Sequence, residues 1–216
     1  MEESKRIVPM ELTDEFYSEC GHVCLIYDNE EQRKKIVSEY MTAGLRKGEA
    51  VRYFTDRTKP EEIRSWLLEI GVVLPDDEGK GSFSISKAED YYLPDGVFDP
   101  RALINGAPQR FAVARKAGYS GTRACGEMTW ALRCLSDSDR LMEYEALLNT
   151  VTDTFPHSGM CQYDARIFDG ATLFKVLRVH PYMIAQGQIV SNPFYMRPEE
   201  FMAELNAVKQ ARDSYG

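Results

Sequence analysis

Short apolar runs alternate with amphipathic stretches along most of this chain. Brief apolar runs are typical of buried strands, whereas apolar residues three and four apart are typical of helices. The pattern predicts strands at residues 22–27, 51–55, 82–86, around Arg123, 159–164 and 183–190. It predicts helices from the Asp28 or Asn29 cap to Gly48, Pro60 to Gly71, the Asp99 cap to Ala117, 136–155, 172–179, and onward from Pro198. This order predicts an α/β fold, a mostly parallel sheet with helices on both faces.

The chain shows no internal repeat and no low-complexity linker, which indicates one domain with terminal extensions. We expect an N-terminal extension at residues 1–19, the folded domain at 20–196 and a C-terminal helix at 197–216. Phe201, Leu205 and Val208 form only a narrow apolar stripe on that helix. The stripe predicts a relay or dimer element rather than part of the core, so a homodimer is one expected state.

Charge and composition exclude several classes of protein. The net charge is −8, and binding to nucleic acid needs a basic face, so direct contact with nucleic acid is not expected. No apolar run approaches the roughly 20 residues of a membrane span, and the first residues lack the apolar segment of a signal peptide. The five cysteines form no CxxC pair, which favours a reduced, cytoplasmic protein without membrane contact.

The segment 118–130 is the strongest indication of a site. It predicts a short strand followed by a loop, and Arg123 and Glu127 share one strand face because they are four residues apart. Together with Trp130, they would supply a cation, a carboxylate and an apolar wall to a small-molecule pocket at the carboxyl ends of the strands. An ion pair beside a core tryptophan is the alternative interpretation.

The first strand-to-helix connection does not have the composition of a phosphate-binding loop. Residues 27–32 contain no glycine, no lysine and three carboxylates. A phosphate loop needs glycines for close backbone approach and a lysine for charge, so ATP hydrolysis by that apparatus is not expected.

A metal site is a weaker alternative. Cys20, His22 and Cys24 alternate along one strand face and could offer three zinc ligands. This spacing is unusual for a structural zinc site, and cysteine is also a common buried hydrophobe. We therefore expect no metal and no cofactor.

Several segments in a fixed order resemble the MEDS domain, the methanogen/methylotroph DcmR-type sensory domain. They are residues 22–27, 44–49, Tyr91 with 98–100, 118–130, 144–149, 161–164 and 180–181. The resemblance implies a RecA/KaiC-like fold with a degenerate phosphate loop. It also implies a sensory domain that binds a small organic compound, a hydrocarbon derivative, and relays this state to a DNA-binding or histidine-kinase output module.

The resemblance implies ten ligand-site candidates: His22, Tyr27, Arg123, Glu127, Trp130, Glu145, Gln162, Tyr163, Asp164 and His180. Arg123 would hold a polar group by a forked contact, and Trp130 and Tyr163 would form apolar walls. Glu127 and Asp164 would orient Arg123 or the ligand.

A sensing domain without turnover is the leading hypothesis. One rival is an enzyme that uses Glu127, Asp164 and His22 or His180 as acid–base groups. A degenerate nucleotide-binding scaffold and a protein-interaction scaffold are further alternatives.

Overall fold

The computed structural model describes residues 21–74, 81–135 and 138–215. Seven strands form one sheet in the order β3-β2-β4-β5-β1-β6-β7. Their bounds are β1 His22–Tyr27, β2 Ala50–Thr55, β3 Phe83–Lys87, β4 Thr122–Glu127, β5 His157–Asp164, β6 Tyr182–Ala185 and β7 Gln188–Ser191. Strands β1 to β6 pair in parallel, and β7 runs antiparallel to β6. The predicted α/β fold with a mostly parallel sheet is confirmed.

Nine α-helices accompany the sheet in the described residues. They are α1 Glu30–Arg46, α2 Pro60–Glu69, α3 Ala88–Tyr92, α4 Pro100–Asn105, α5 Ala107–Lys116, α6 Ala131–Cys134, α7 Asp139–Thr154, α8 Gly170–Val179 and α9 Pro198–Tyr215. None of these helices is both long and apolar enough to cross a membrane.

Helices cover both faces of the sheet, and each face has its own core. Alternate residues of one strand point to opposite faces, so Val23 packs with α1 and α2 while Cys24 packs with α7 and α8. The α1 face is filled by large side chains such as Ile36 and Leu67. The opposite face contains most of the aromatic residues, including Trp130.

Two predicted elements are divided in the structure. The single helix predicted up to Ala117 is split at Gly106 into α4 and α5. Pro108 lies just after this break, and a proline ring inside a continuous helix would clash with the carbonyl four residues earlier. The last predicted strand is a hairpin, because Gln186 and Gly187 have φ values of 52° and 73° and form a tight turn.

The C-terminal helix packs against its own domain, so the prediction that it is not part of the core is wrong. Phe201 and Leu205 are buried in the core beside α7 and α8. Arg178 of α8 forms an ion pair with Glu204 at 2.5 Å. Only Val208 of the predicted stripe stays exposed. A narrow apolar stripe is sufficient for this packing, because the helix covers only the edge of the core that α7 and α8 leave open. The predicted N-terminal extension lies outside the described residues.

Candidate functional site

A cavity of about 650 Å³ lies between the sheet and helices α4, α5 and α7. Its floor is formed by residues of β4 and β5 with small or no side chains, namely Ala124, Gly126 and Gly159. Seven aromatic side chains line its walls: Phe54, Tyr91, Tyr92, Phe111, Tyr119, Tyr144 and Phe155. The volume lies in the range of pockets that enclose small organic ligands.

Small residues on the helix side and on the sheet side of the cavity create this space. Helix α5 presents Ala107 and Ala114 to the cavity, so neither the helix nor the floor fills it. Gly126 is required where it lies, since an added Cβ would be only 2.7 Å from the hydroxyl of Tyr92. At Gly159 the nearest atom would be a Leu148 methyl at 3.6 Å, so that glycine leaves usable room.

Polar side chains line the cavity on β2 and β3, and also at the starts of β4 and β5, where Thr122 and His157 lie. Arg52 pairs in register with Ser84, and both line the cavity together with Ser86. Arg52 donates to the carbonyl of Val51 at 2.9 Å, and burial lowers its pKa. The wall that α7 contributes is mostly apolar and includes Leu148 and Val151. The cavity therefore combines apolar walls with polar groups at two places.

A compact polar cluster lies on the same face of the sheet, deep in the core. It consists of His22 from β1, Glu145 from α7, Cys161 from β5 and His180 at the end of α8, all fully or almost fully buried. One potential ligand atom of each residue lies within 4.8 Å of those of the other three. Cys161 also lines the cavity, so the cluster and the cavity share a wall.

Hydrogen bonds fix the orientation of the groups in this cluster. His22 Nδ1 lies 3.1 Å from the side-chain oxygen of Asn149, whose amide nitrogen donates to three backbone carbonyls. His180 Nδ1 donates to the carbonyl of Val176 at 2.8 Å. Oε1 of Glu145 accepts a hydrogen bond from the hydroxyl of Tyr163.

Burial and mutual charge shift the ionisation of these groups. Burial raises the pKa of Glu145, but the hydrogen bond with His22 and the nearby His180 outweigh it, so that this pKa is lowered overall. Burial, and then the neighbouring His22, lower the pKa of His180 to about 3. Burial also raises the pKa of the Cys161 thiol well above its usual value.

A second polar network closes the carboxyl edge of the sheet on the α1 face. Arg33 donates to Glu127 at 2.8 Å, to Gln162 at 2.7 Å and to Tyr53 at 2.9 Å. The other oxygen of Glu127 accepts the backbone N–H groups of residues 56–58 at 2.6–3.2 Å. Burial lowers the pKa of Arg33, but Tyr53 and Glu127 outweigh this and raise it. This network binds its own members and occupies the edge where the sequence predicted a ligand.

Asp164 and Tyr27 belong to the same edge. Asp164 pairs with Arg166 at 2.7 Å, and Arg166 also pairs with Glu30 at the start of α1. The guanidinium of Arg33 lies 5.0 Å from the ring centre of Tyr27. The Asp164 carboxylate is thus neutralised by an arginine two residues away.

Arg123, Glu127 and Trp130 do not form one pocket, and that prediction is wrong. Arg123 lies near the start of β4, where it pairs with Glu49 at 2.6 Å and contacts the Tyr40 ring. Glu127 shares its strand face but is four residues away, or about 13 Å at the usual rise of a strand. Trp130 is on the opposite face, where it stacks on Tyr92 with ring centres 4.7 Å apart. Of the three, only Arg123 borders the cavity.

The remaining predicted residues divide between the two polar networks. His22, Glu145, Tyr163 and His180 meet in the buried cluster, and Gln162 joins Glu127. Sequence reasoning missed Arg33, although it lies in register with the apolar stripe of α1, three and four positions before Ile36 and Val37. Cys161 was also absent from the predicted site residues. A charged residue within an apolar stripe is the signal that could have identified Arg33.

The fold and the site define an α/β domain that encloses a cavity of ligand size beside a buried polar cluster. Residues 21–181 match the family described as MEDS: MEthanogen/methylotroph, DcmR Sensory domain. This match covers most of the chain, and the chain belongs to that family. The sequence-based resemblance is confirmed.

Individual proteins are also similar to the chain, and two of them are a transcriptional repressor and a flagellar accessory protein. The transcriptional repressor DcmR of Methylorubrum extorquens strain DM4 is 26% identical over 160 residues, which cover 74% of this chain and 57% of the repressor. The chain therefore spans just over half the length of this curated relative. The crystal structure of the flagellar accessory protein FlaH from Methanocaldococcus jannaschii covers 89% of this chain and 88% of its own, with a TM-score of 0.43 and 9% identity. That likeness carries no argument about function, whereas the family and the repressor support a sensory, regulatory role.

Proposed function

We propose that this chain is a sensory domain whose cavity binds a small organic molecule with an apolar body and one polar end, without chemical turnover. The observation that carries the proposal is the 650 Å³ cavity with its aromatic walls and the polar side chains that β2 and β3 present to it. An apolar body would pack against Phe111 and Phe155, and the polar end would face Arg52 and Ser84. This fits the hydrocarbon derivative that the family resemblance implies.

The polar networks favour binding over catalysis. Glu127 is held by Arg33 and three backbone N–H groups, and Asp164 is held by Arg166. Carboxylates that are saturated in this way are poor general bases, because a base needs an available lone pair. The acidic β1–α1 connection and the Asp164–Arg166 pair also disfavour a bound triphosphate.

The position of the cavity supplies a route for a signal. A ligand would lie between the sheet and the α4–α5 segment, which is already divided at Gly106. A bound ligand would favour one position of this segment over another. A partner that binds the surface of this segment would then bind more tightly or more weakly. By analogy with the repressor relative, the output is a DNA-binding or kinase module, and a homodimer is one form in which the domain would act.

The proposal is tested with a pair of variants on one helix. Ala114 is buried and lines the cavity, whereas Ala112 lies on the exposed side of α5. Calorimetric titration with a series of alkyl alcohols and alkyl benzenes should give saturable binding to the parent chain and to Ala112→Leu. Ala114→Leu should bind at least about tenfold more weakly, a change equal to ~1.4 kcal/mol.

Equal binding by both alanine variants would show that the cavity is not the site. Mass spectrometry of the incubated compounds separates the two classes of function. Unchanged compounds support sensing, whereas a product that accumulates with time would support the enzyme alternative. The contact between Arg52 and the polar end of the ligand is tested by Arg52→Met. This variant should weaken the binding of the alcohols more than the binding of the matched hydrocarbons.

A further inference from the structure

The buried cluster of His22, Glu145, Cys161 and His180 has the composition of a metal site. Two imidazoles, one carboxylate and one thiol come from four segments that are far apart in the sequence. Charged and polar side chains are rarely collected at zero exposure unless they are paired or bind an ion. We propose that these four residues bind one divalent transition-metal ion, of which Zn²⁺ fits the ligand set best.

Four of the six distances between the ligand atoms are close to the edges of a tetrahedral site, and the other two are no longer than 4.8 Å. With metal–ligand bonds of about 2.0 Å for N and O and about 2.3 Å for S, the edges of a tetrahedron are about 3.3 Å between N and O and about 3.5 Å between N or O and S. His22 Nε2 lies 3.1 Å from Glu145 Oε2 and 3.5 Å from Cys161 Sγ. Glu145 Oε2 lies 3.5 Å from His180 Nε2 and 3.3 Å from Cys161 Sγ.

The hydrogen bonds around the cluster aim both imidazoles at a common point. His22 Nδ1 meets the side-chain oxygen of Asn149, and His180 Nδ1 donates to the Val176 carbonyl. A proton on Nδ1 of each ring would satisfy both of these acceptors and leave the two Nε2 atoms available to an ion. A second group that fixes the tautomer of each histidine is the usual arrangement around a bound metal.

His180 provides an independent observation. Its Nε2 atom is fully buried and has no hydrogen-bond partner in the part of the chain that the structure describes. A buried nitrogen lone pair without a partner is costly, and here it points to a carboxylate oxygen. A cation between the four groups would satisfy Nε2 and the carboxylate at the same time.

The ligand set distinguishes among metals. A thiolate and two imidazoles favour Zn²⁺ over Mg²⁺ or Ca²⁺, which prefer oxygen ligands. All four positions would be filled by the protein, as in structural rather than catalytic zinc sites. Cys161 would lose its proton on binding, as thiol ligands do. The ion would join β1, β5, α7 and the end of α8, and so would stabilise the wall that the cluster shares with the cavity.

This inference does not depend on the ligand proposed for the cavity, and it departs from the sequence-based expectation of a chain without metal. The set also differs from the alternative of Cys20, His22 and Cys24. Cys20 lies outside the described residues, and the Cys24 thiol points to the Tyr182 carbonyl at 3.7 Å. The competing explanation without a metal is a direct contact between His22 and Glu145, whose atoms lie 3.1 Å apart.

Two cysteine variants test the site in the full chain. Cys161→Ser removes the proposed sulfur ligand. Cys125→Ser is the matched control, because it is a buried thiol of the neighbouring strand that faces the other side of the sheet. The chains are loaded with ZnCl₂ or CoCl₂, dialysed and analysed by elemental mass spectrometry and absorption spectroscopy. We expect one metal per chain for the parent and for Cys125→Ser, with a thiolate-to-cobalt charge-transfer band that Cys161→Ser lacks.

Several outcomes would overturn the proposal. One is a parent chain that retains no stoichiometric zinc after loading, which supports a direct contact between His22 and Glu145 without an ion. Others are a cobalt band that persists in Cys161→Ser or that disappears in Cys125→Ser. If Cys161→Ser does not fold, as judged by circular dichroism, His180→Gln replaces it and must reduce the bound metal. A strong chelator should also lower the melting temperature of the parent, and an unchanged melting temperature with loss of the metal would contradict the structural role.

Discussion

The Arg33 network at the carboxyl edge should contribute more to stability than any exposed ion pair of this protein. Replacing Arg33 by Met keeps most of the apolar stem but removes the guanidinium, which is almost fully buried and bonds to Glu127, Gln162, Tyr53 and Thr58. Removing one partner of a buried pair typically costs ~3–5 kcal/mol, because the other charge stays buried. Glu127 retains three backbone N–H donors and the Tyr53 hydroxyl, so we expect a loss near the lower limit, about 3 kcal/mol of the free energy of unfolding.

The measurement is urea unfolding followed by circular dichroism, with two comparison variants. Lys34→Met removes the neighbouring but exposed pair with Glu69 and should change the free energy of unfolding much less. Glu127→Gln added to Arg33→Met removes the uncompensated charge and should restore part of the loss. If Arg33→Met costs no more than Lys34→Met, or if the double variant is less stable by the full sum of the single changes, the ion pair is not what stabilises this edge.

Three further changes have definite expected results. Trp130→Ala should cost ~3–5 kcal/mol in urea unfolding because the ring is wholly buried, and an unaltered stability would contradict its place in the core. Gly126→Ala should destabilise the fold by ~1–3 kcal/mol, because the added Cβ would lie 2.7 Å from the Tyr92 hydroxyl. Gly159→Ala should be tolerated, and equal effects of the two changes on the melting temperature would refute this difference. Removing residues 198–216 should lower the melting temperature and expose core surface to a hydrophobic dye, and a truncated chain as stable as the parent would show that α9 does not complete the core.

The sequence pattern was sufficient for the α/β fold because strands buried on both faces and helices with one apolar stripe have different periods. The prediction from this pattern failed where one or two residues interrupt an element that is otherwise regular. Pro108 divides one predicted helix, and the Gln186–Gly187 turn folds one predicted strand back on itself. Both signals are present in the sequence, but each is a single residue or pair within an otherwise regular pattern.

The site was harder to predict, because residues on the same strand face were assumed to share a pocket. Arg123 and Glu127 do share a face, yet each finds a nearer partner on another element, Glu49 and Arg33. The cavity itself has almost no sequence signal. The cavity exists because Ala124, Gly126 and Ala114 have small side chains or none. The space that they leave can be recognised only when the position of the helix over the sheet is known.

The Arg33–Glu127 network and the apolar walls of the cavity are open to evolutionary change to very different degrees. On the α1 face, a substitution in the Arg33–Glu127 network leaves an unpaired charge in the interior. Single substitutions there are therefore costly, and restoring stability needs several substitutions together. On the α5 face, exchanging one apolar wall residue for another alters the size and shape of the enclosed space with little effect on stability. Descendants of this domain could therefore acquire new chemical preferences by small steps at positions such as Ala114 and Gly159, while the opposite half of the molecule keeps the fold unchanged.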